Sequence, residues 1–291
     1  MTKTALILLV GEQPLPNLLP TRHINPEMVA LVYTDRTKEI AKRLEALLSV
    51  EKLPCEVKPY DLPKIEQTLQ DLSRQIAESE HHLLFNLTGG TKPMSLAAFQ
   101  VASQRKAPFV YFQTEGGRSL LYRYQFTDQG EVELEKQEEI SQTITLDDYL
   151  RAQVGNYTPG SPRDDFERQV SQALQTIPDL EILTSVRPQG LEALEVDFVL
   201  RLGNQVGVIE AKTKGAKSGI DQIQAVAEQR YLGTYVAKFL VSGKEVDRNN
   251  KNLARAYGIE MIELPSYADT GEISESDQQT LRERILKKLR G

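Results

Sequence analysis

The sequence predicts a two-part α/β protein: a parallel sheet covered by helices on both faces, then a smaller α+β unit on a mixed sheet. Three observations carry this. Apolar strand-like runs alternate with helix-periodic stretches through the first half. A stretch rich in proline, glycine and small polar residues, "RAQVGNYTPGSPRDD", then breaks the alternation. After it, three strand-like runs follow one another directly. A chain of 291 residues suits two domains of about 100–200 residues each.

The elements of the first half read in order. "TALILLV" is a buried strand and "EMVALVYT" a second. "RTKEIAKRLEALLSVE" is a helix, with Ile40, Leu44 and Leu47 at helical spacing. "CEVKPYDL" is a third strand and "IEQTLQDLSRQIAE" a helix. "HLLFNL", "KPMSLAAFQVASQ" and "PFVYFQT" give strand, helix and strand. Continuous apolar strands separated by helices describe a Rossmann-like parallel sheet. A polar hairpin turning at Asp128-Gln129-Gly130 closes this domain.

In the second half "FERQVSQALQTI" is a helix, and "LEILTSV", "LEVDFVLRL" and "QVGVIEAKT" are strands. "GIDQIQAVAEQRYL" is a helix, "YVAKFLVSG" a strand, "NNKNLARAYG" a helix and "IEMIEL" a last strand. The predicted domains are residues 1–147 and 161–291, with 148–160 as a linker.

Composition narrows the function. The net charge is −6; residues 1–150 carry a net −5 and residues 151–291 a net −1. Neither half has the basic excess of a protein that coats nucleic acid. Cys55 is the single cysteine, which rules out a disulfide framework and a cysteine zinc site. The run "ALILLV" is too short for a signal peptide's apolar core or a membrane span. A soluble, cytoplasmic protein is the expectation.

Two segments carry chemistry. In "EVDFVLRLGNQVGVIEAKT", Gly203-Asn204 is a two-residue hairpin turn. That turn sets Asp197 opposite Glu210, and strand alternation puts Lys212 on the face of Glu210. Opposed like charges destabilise a hairpin. A divalent cation would supply a reason for them, and oxygen ligands suit Mg²⁺ or Mn²⁺. The alternative is an open sheet face on which both carboxylates meet solvent and Lys212 is their counter-ion.

The second segment, "NLTGGTKPM", is a glycine turn between a strand and a helix. Such a turn can present backbone N–H groups to a phosphate. It is neither a Walker A loop nor GxGxxG. Ligands of open α/β sheets sit beyond the carboxyl ends of the strands. Gly11, Gln13 and Asn17, after the first strand, therefore belong on one edge with Thr88, Gly89, Gly90, Thr91 and Lys92. The alternative is a structural turn whose glycines only permit tight strand–helix packing.

The Asp197, Glu210 and Lys212 pattern and the order of elements around it, over roughly residues 161–265, resemble the PD-(D/E)XK nucleases of restriction-endonuclease type. Val196 stands where that motif often has proline. The resemblance implies metal binding by Asp197 and Glu210, with the Ala211 carbonyl as a further ligand and Lys212 as the catalytic lysine. It also implies that Glu167, on the first helix, joins the metal site; an ordinary helix-surface glutamate is the other reading. "GEQPLPNLLP" together with "NLTGGTK" resembles the CARF domain, the CRISPR-associated Rossmann-fold sensor, over about residues 1–145. A CARF domain joined to a PD-(D/E)XK domain resembles the accessory nucleases of type III CRISPR immunity. That combination implies a homodimer activated by a cyclic oligoadenylate, usually cyclic tetra-adenylate. It also implies Mn²⁺- or Mg²⁺-dependent cleavage of single-stranded RNA or DNA, or nicking of plasmid DNA. Two other readings stay open. One is a ring nuclease that cuts its own activator, assisted by Thr91, Lys92 and Thr114; the other is a sensor without catalysis.

Overall fold

The computed structural model describes residues 3–190, 195–227, 231–233 and 236–290. The chain divides into two compact units, Met1–Thr143 and Ile144–Gly291.

The first unit runs β1 (Thr4–Leu9), α1 (Leu15–Ile24), β2 (Met28–Tyr33), α2 (Lys38–Leu47), β3 (Glu51–Glu56), α3 (Leu62–Glu78), β4 (His82–Asn86), α4 (Lys92–Arg105), β5 (Phe109–Glu115), β6 (Arg118–Phe126) and β7 (Val132–Glu139). Its seven strands lie in the order β3-β2-β1-β4-β5-β6-β7. The first five are parallel, and β6 and β7 close the sheet as the predicted antiparallel hairpin. The chain turns there at Gly130, with φ at 84°. One sheet face, with Ala5, Ile7, Leu9, Ala30, Val32 and Phe85, packs against Ile65, Leu69 and Ile76 of α3 and Ala97, Ala98 and Val101 of α4.

Two elements depart from expectation. The third strand covers residues 51–56 rather than starting at Cys55, and it contains Pro54. An edge strand tolerates proline because the missing N–H removes no ladder bond. The loop after β1 is in fact helix α1, which its three prolines disguise. Pro14 and Pro16 sit at its first turn, where a missing N–H costs nothing. Pro20 lies inside it and leaves the Pro16 carbonyl without its helical donor. The side-chain amide of Asn86, at the end of β4, donates to that carbonyl at 2.7 Å. Asn86 is fully buried, so the bond fills a need that water could not.

The second unit runs α5 (Leu146–Val154), β8 (Tyr157–Thr158), α6 (Asp165–Gln175), β9 (Glu181–Pro188), β10 (Val196–Leu202), β11 (Gln205–Lys212), α7 (Ala216–Val226), β12 (Ala237–Ser242), α8 (Arg248–Ala256), β13 (Ile259–Glu263), α9 (Ser266–Thr270) and α10 (Glu275–Arg290). The sheet order is β13-β12-β11-β10-β9-β8. Strands β9, β10 and β11 are antiparallel, and β12 and β13 add in parallel, which makes the predicted mixed sheet. The helix and strands were expected to include Leu194, Glu228–Arg230 and Tyr235; these lie outside the described residues.

The expected linker, 148–160, is ordered structure of the second unit. Thr145 and Asp148 form a reciprocal capping box that starts α5. Tyr157 and Thr158 pair with Pro188 and Arg187 of β9. Helix α10 is an addition to the predicted elements. Its Leu281, Ile285 and Leu289 recur four apart, are all buried, and pack with Phe198, Ile209 and Phe239 on one sheet face. Among the described residues no helix is long and apolar enough to cross a membrane.

Candidate functional site

The second unit builds its site on the β10–β11 hairpin. Gly203 takes φ at 61°, as the first position of a type II′ turn requires. The turn pairs Leu202 with Gln205 and Phe198 with Ile209, the predicted register. Asp197 and Glu210 follow directly beyond the last of these pairs. Phe198 and Ile209 face the helix α6 and α10 side, so strand alternation sends Asp197, Glu210 and Lys212 to the other face.

These carboxylates do not lie on an open, solvated face, so the solvent-facing alternative fails. Asp197 is 1% exposed and Glu210 2%. The Ala211 N–H donates to Asp197 Oδ2 at 2.9 Å. Lys212 Nζ lies 2.5 Å from Glu210 Oε1, so the ammonium is the partner of that buried oxygen. Burial, and then the charge of Asp197, push the Glu210 carboxyl up to about 7 against the pull of Lys212. Burial also raises the Asp197 carboxyl, opposed by the Ala211 N–H and by Arg163.

Gly219 lets α7 come down on this strand. A Cβ there would lie 2.7 Å from Leu240 Cδ1 and 3.2 Å from Lys212 Cγ. The helix that follows β11 thus closes over the charged side chains because residue 219 has none.

Glu167 is not the helix-surface glutamate of the alternative reading. It is 3% exposed, and both of its oxygens are held by Arg163. The Arg163 backbone N–H donates to Oε2 at 2.8 Å and its Nε to Oε1 at 3.3 Å. The same guanidinium pairs with Asp197 Oδ1 and comes within 3.6 Å of Glu195. Glu167 therefore meets Asp197 across an arginine. Among the described residues no three acidic, histidine or cysteine side chains are grouped as metal ligands. The donors that fit a hard divalent cation are Asp197, Glu210 and the Ala211 carbonyl. Two carboxylates with several retained waters is a usual Mg²⁺ arrangement. Arg163 and Glu195 were absent from the expected site. A charged residue just before a helix N-cap gives no signal of where its side chain will reach.

The first unit builds its site where strand order reverses, between β1 and β4, the position at which open α/β sheets bind ligands. The two predicted loops meet there. A Cβ on Gly11 would lie 3.0 Å from the Gly90 nitrogen, and one on Gly89 only 2.1 Å from the Leu9 carbonyl oxygen. Gly90 has φ at 73°. Packing alone therefore accounts for Gly89. The same close approach brings the two loops to a single edge.

The polar residues divide into framework and surface. Asn17 is fully buried and its Nδ2 donates to the Leu9 carbonyl at 3.0 Å, so it holds the loop and has no free face for a ligand. Thr88 Oγ1 donates to Asn86 Oδ1 and accepts from the Phe112 N–H, both at 2.7 Å. Thr91 caps α4 by accepting from the Met94 N–H at 3.4 Å. Gly11, Gln13 and Gly90 remain partly exposed, and Lys92 is exposed. Among the described residues nothing accepts from the N–H of Gly89 or Gly90.

The chain thus joins a Rossmann-like unit to an α+β unit built on a mixed sheet. Residues 5–149 match the Card1 CARF domain family, and over this N-terminal half the chain belongs to the CARF-domain proteins. Among solved structures, the chain resembles Can2 from Sulfobacillus thermosulfidooxidans in complex with cyclic tetra-adenylate. The TM-score is 0.76 at 17% identity, over 99% of this chain and 100% of that one. Protein VC1899 from Vibrio cholerae gives 0.73 at 13% identity, over 98% and 97%. A type III CRISPR defence DNA nuclease activated by cyclic oligoadenylate gives 0.58 at 17% identity; 86% of this chain covers 48% of that one. No curated protein matches in sequence. Identities this low establish the shared fold.

Proposed function

We propose that the protein is a metal-dependent nuclease gated by a cyclic oligoadenylate, acting in type III CRISPR defence. The observation that carries the reading is the burial of Asp197 and Glu210 on one strand face with Lys212, two carboxylates held inside the fold. A buried carboxylate pair is costly unless something compensates it. Asp197, Glu210 and the Ala211 carbonyl would hold Mg²⁺ or Mn²⁺. Such an ion polarises a phosphoryl oxygen and lowers the pKa of a bound water. Lys212, beside Glu210 and less deeply buried, supplies a cation that can steady negative charge developing on a phosphate. Its charge also opposes protonation of Glu210, keeping a carboxylate available as a ligand.

The activator would lie over Gly11, Gln13 and the Gly89–Lys92 turn. The N–H groups of Gly89 and Gly90 and the ammonium of Lys92 would face its phosphates. One such loop offers few donors for a whole ring. A homodimer, with two loops related by a two-fold axis, would match a symmetric cyclic ligand.

The test is cleavage of labelled single-stranded RNA, single-stranded DNA and plasmid, with and without each cyclic oligoadenylate, in Mn²⁺, Mg²⁺ or EDTA. Cleavage that needs both ring and metal, and is lost in Glu210→Gln, is expected. Metal-independent cleavage would overturn the proposal. Destruction of the ring by Glu210→Gln would instead move the chemistry to the first unit.

A further inference from the structure

We propose that Arg163 is a built-in competitor of the divalent cation: it holds Asp197 in the resting site and must release it for metal to bind. The inference rests on the metal-dependent reading above and extends it to a residue outside the Asp197, Glu210 and Lys212 set.

The geometry is specific. Asp197 has two oxygens. Oδ2 takes the Ala211 backbone N–H, a bond from the facing strand to this side chain. Oδ1 takes the guanidinium of Arg163. A cation held by Asp197 and Glu210 would therefore share Asp197 with a guanidinium that already covers Oδ1. Mobility is unequal in the same sense. Asp197 and Glu167 are 1% and 4% exposed at the side chain, whereas Arg163 is 44% exposed. Two carboxylates are fixed in the fold, and the cation that neutralises them reaches in from a long, half-solvated side chain able to swing out.

Charge decides the consequence. With Arg163 in place, Asp197 and Glu167 share one positive charge and Glu210 has Lys212. A divalent ion added beside the guanidinium would face its repulsion in a poorly screened site. Release of Arg163 from Asp197 removes that repulsion. The side chain keeps a foothold, because its own backbone N–H stays on Glu167 and Glu195 lies 3.6 Å from its Nη1. Arg163 is thus a positioning residue that sets metal affinity.

The experiment is calorimetric titration of the metal-free protein with Mn²⁺, for wild type, Arg163→Gln, Arg163→Lys and Asp197→Asn, with thermal unfolding of each in EDTA and in Mn²⁺. Arg163→Gln is expected to bind Mn²⁺ about ten- to a hundredfold more tightly, the factor for a charged hydrogen bond no longer broken on binding. It should unfold at lower temperature in EDTA and gain more from Mn²⁺ than wild type does. Arg163→Lys, which keeps the charge without the planar fork, should fall between. Equal or weaker Mn²⁺ affinity in both arginine variants would overturn the proposal while leaving the metal site intact. Should wild type and Asp197→Asn take up Mn²⁺ equally, Asp197 is not a ligand, and the metal-dependent reading falls with it.

Discussion

The two candidate sites are built from opposite materials. At the β1–β4 edge the work is done by backbone: two loops approach so closely that residues 89 and 90 can carry no side chain. The polar groups there, buried Asn17 and Asn86 and half-buried Thr88, are neutral and satisfied by one another and by carbonyls. At the β10–β11 hairpin the work is done by charged side chains, the carboxylates buried and each held by a more exposed cation. A neutral, satisfied frame stabilises its own fold and leaves N–H groups for an anion. A buried charge cluster costs stability and stores the capacity to bind a cation. The first arrangement suits a sensor and the second suits chemistry.

The contrast can be broken most sharply at Asp197. Asp197→Ala is expected to slow nucleic-acid cleavage by about three orders of magnitude, since a metal's charge stabilisation is worth several kcal/mol. Affinity for a cyclic oligoadenylate, measured by calorimetry, should be unchanged. A parallel loss of ring affinity would mean that the two regions are not separable.

Gly89→Ala should act on the fold of the first unit. Its Cβ would meet the Leu9 carbonyl oxygen at 2.1 Å, and that atom is fixed in the sheet. A loss of about 3 kcal/mol is expected, as for overpacking in a tight core. Denaturant unfolding measures it. A wild-type midpoint would show that the turn moves freely and that the glycine serves only a ligand.

Lys92→Ala should leave stability untouched, because the side chain is exposed and in no ion pair among the described residues. Ring affinity should fall by about 1.5–3 kcal/mol, a charged hydrogen bond to phosphate. Unchanged affinity would place the ring elsewhere on this edge.

The smallest effect is pH-dependent. Burial raises the Glu210 carboxyl from 4.5 to about 7, so the folded state holds that proton more tightly than the unfolded one. The stability it contributes is complete below 4.5 and is lost as pH rises through about 7. In EDTA, the melting temperature of wild type should therefore fall more steeply over that window than that of Glu210→Gln. In Mn²⁺ the slope should reverse, because metal binding requires the deprotonated carboxylate. Identical slopes for both proteins in EDTA would mean that Glu210 is not the group responsible.

Much of this was legible from local rules. The Gly203-Asn204 turn acts over two residues and alternation over a few more, so the pairing of Asp197 with Glu210 could be read directly. The alternation of apolar runs was enough for the parallel sheet, and the Leu281, Ile285 and Leu289 stripe of α10 was there to be read as well. Other features had no local signal. Helix α1 carries a proline in its interior and is stable because Asn86, seventy residues on and in the neighbouring strand, donates to the carbonyl that Pro20 leaves bare. Residues 148–154 read as a linker until Thr145 and Asp148 cap them into α5 against the second unit. Whether Asp197 and Glu210 met solvent or one another depended on α7 descending at Gly219. Arg163 lies 34 residues before Asp197 in the chain and meets it only when α6 packs on the sheet. Periodicity and turn chemistry act between near neighbours and leave their mark in composition. Burial, and the partners that burial forces on polar groups, arise only when distant segments close around the same space.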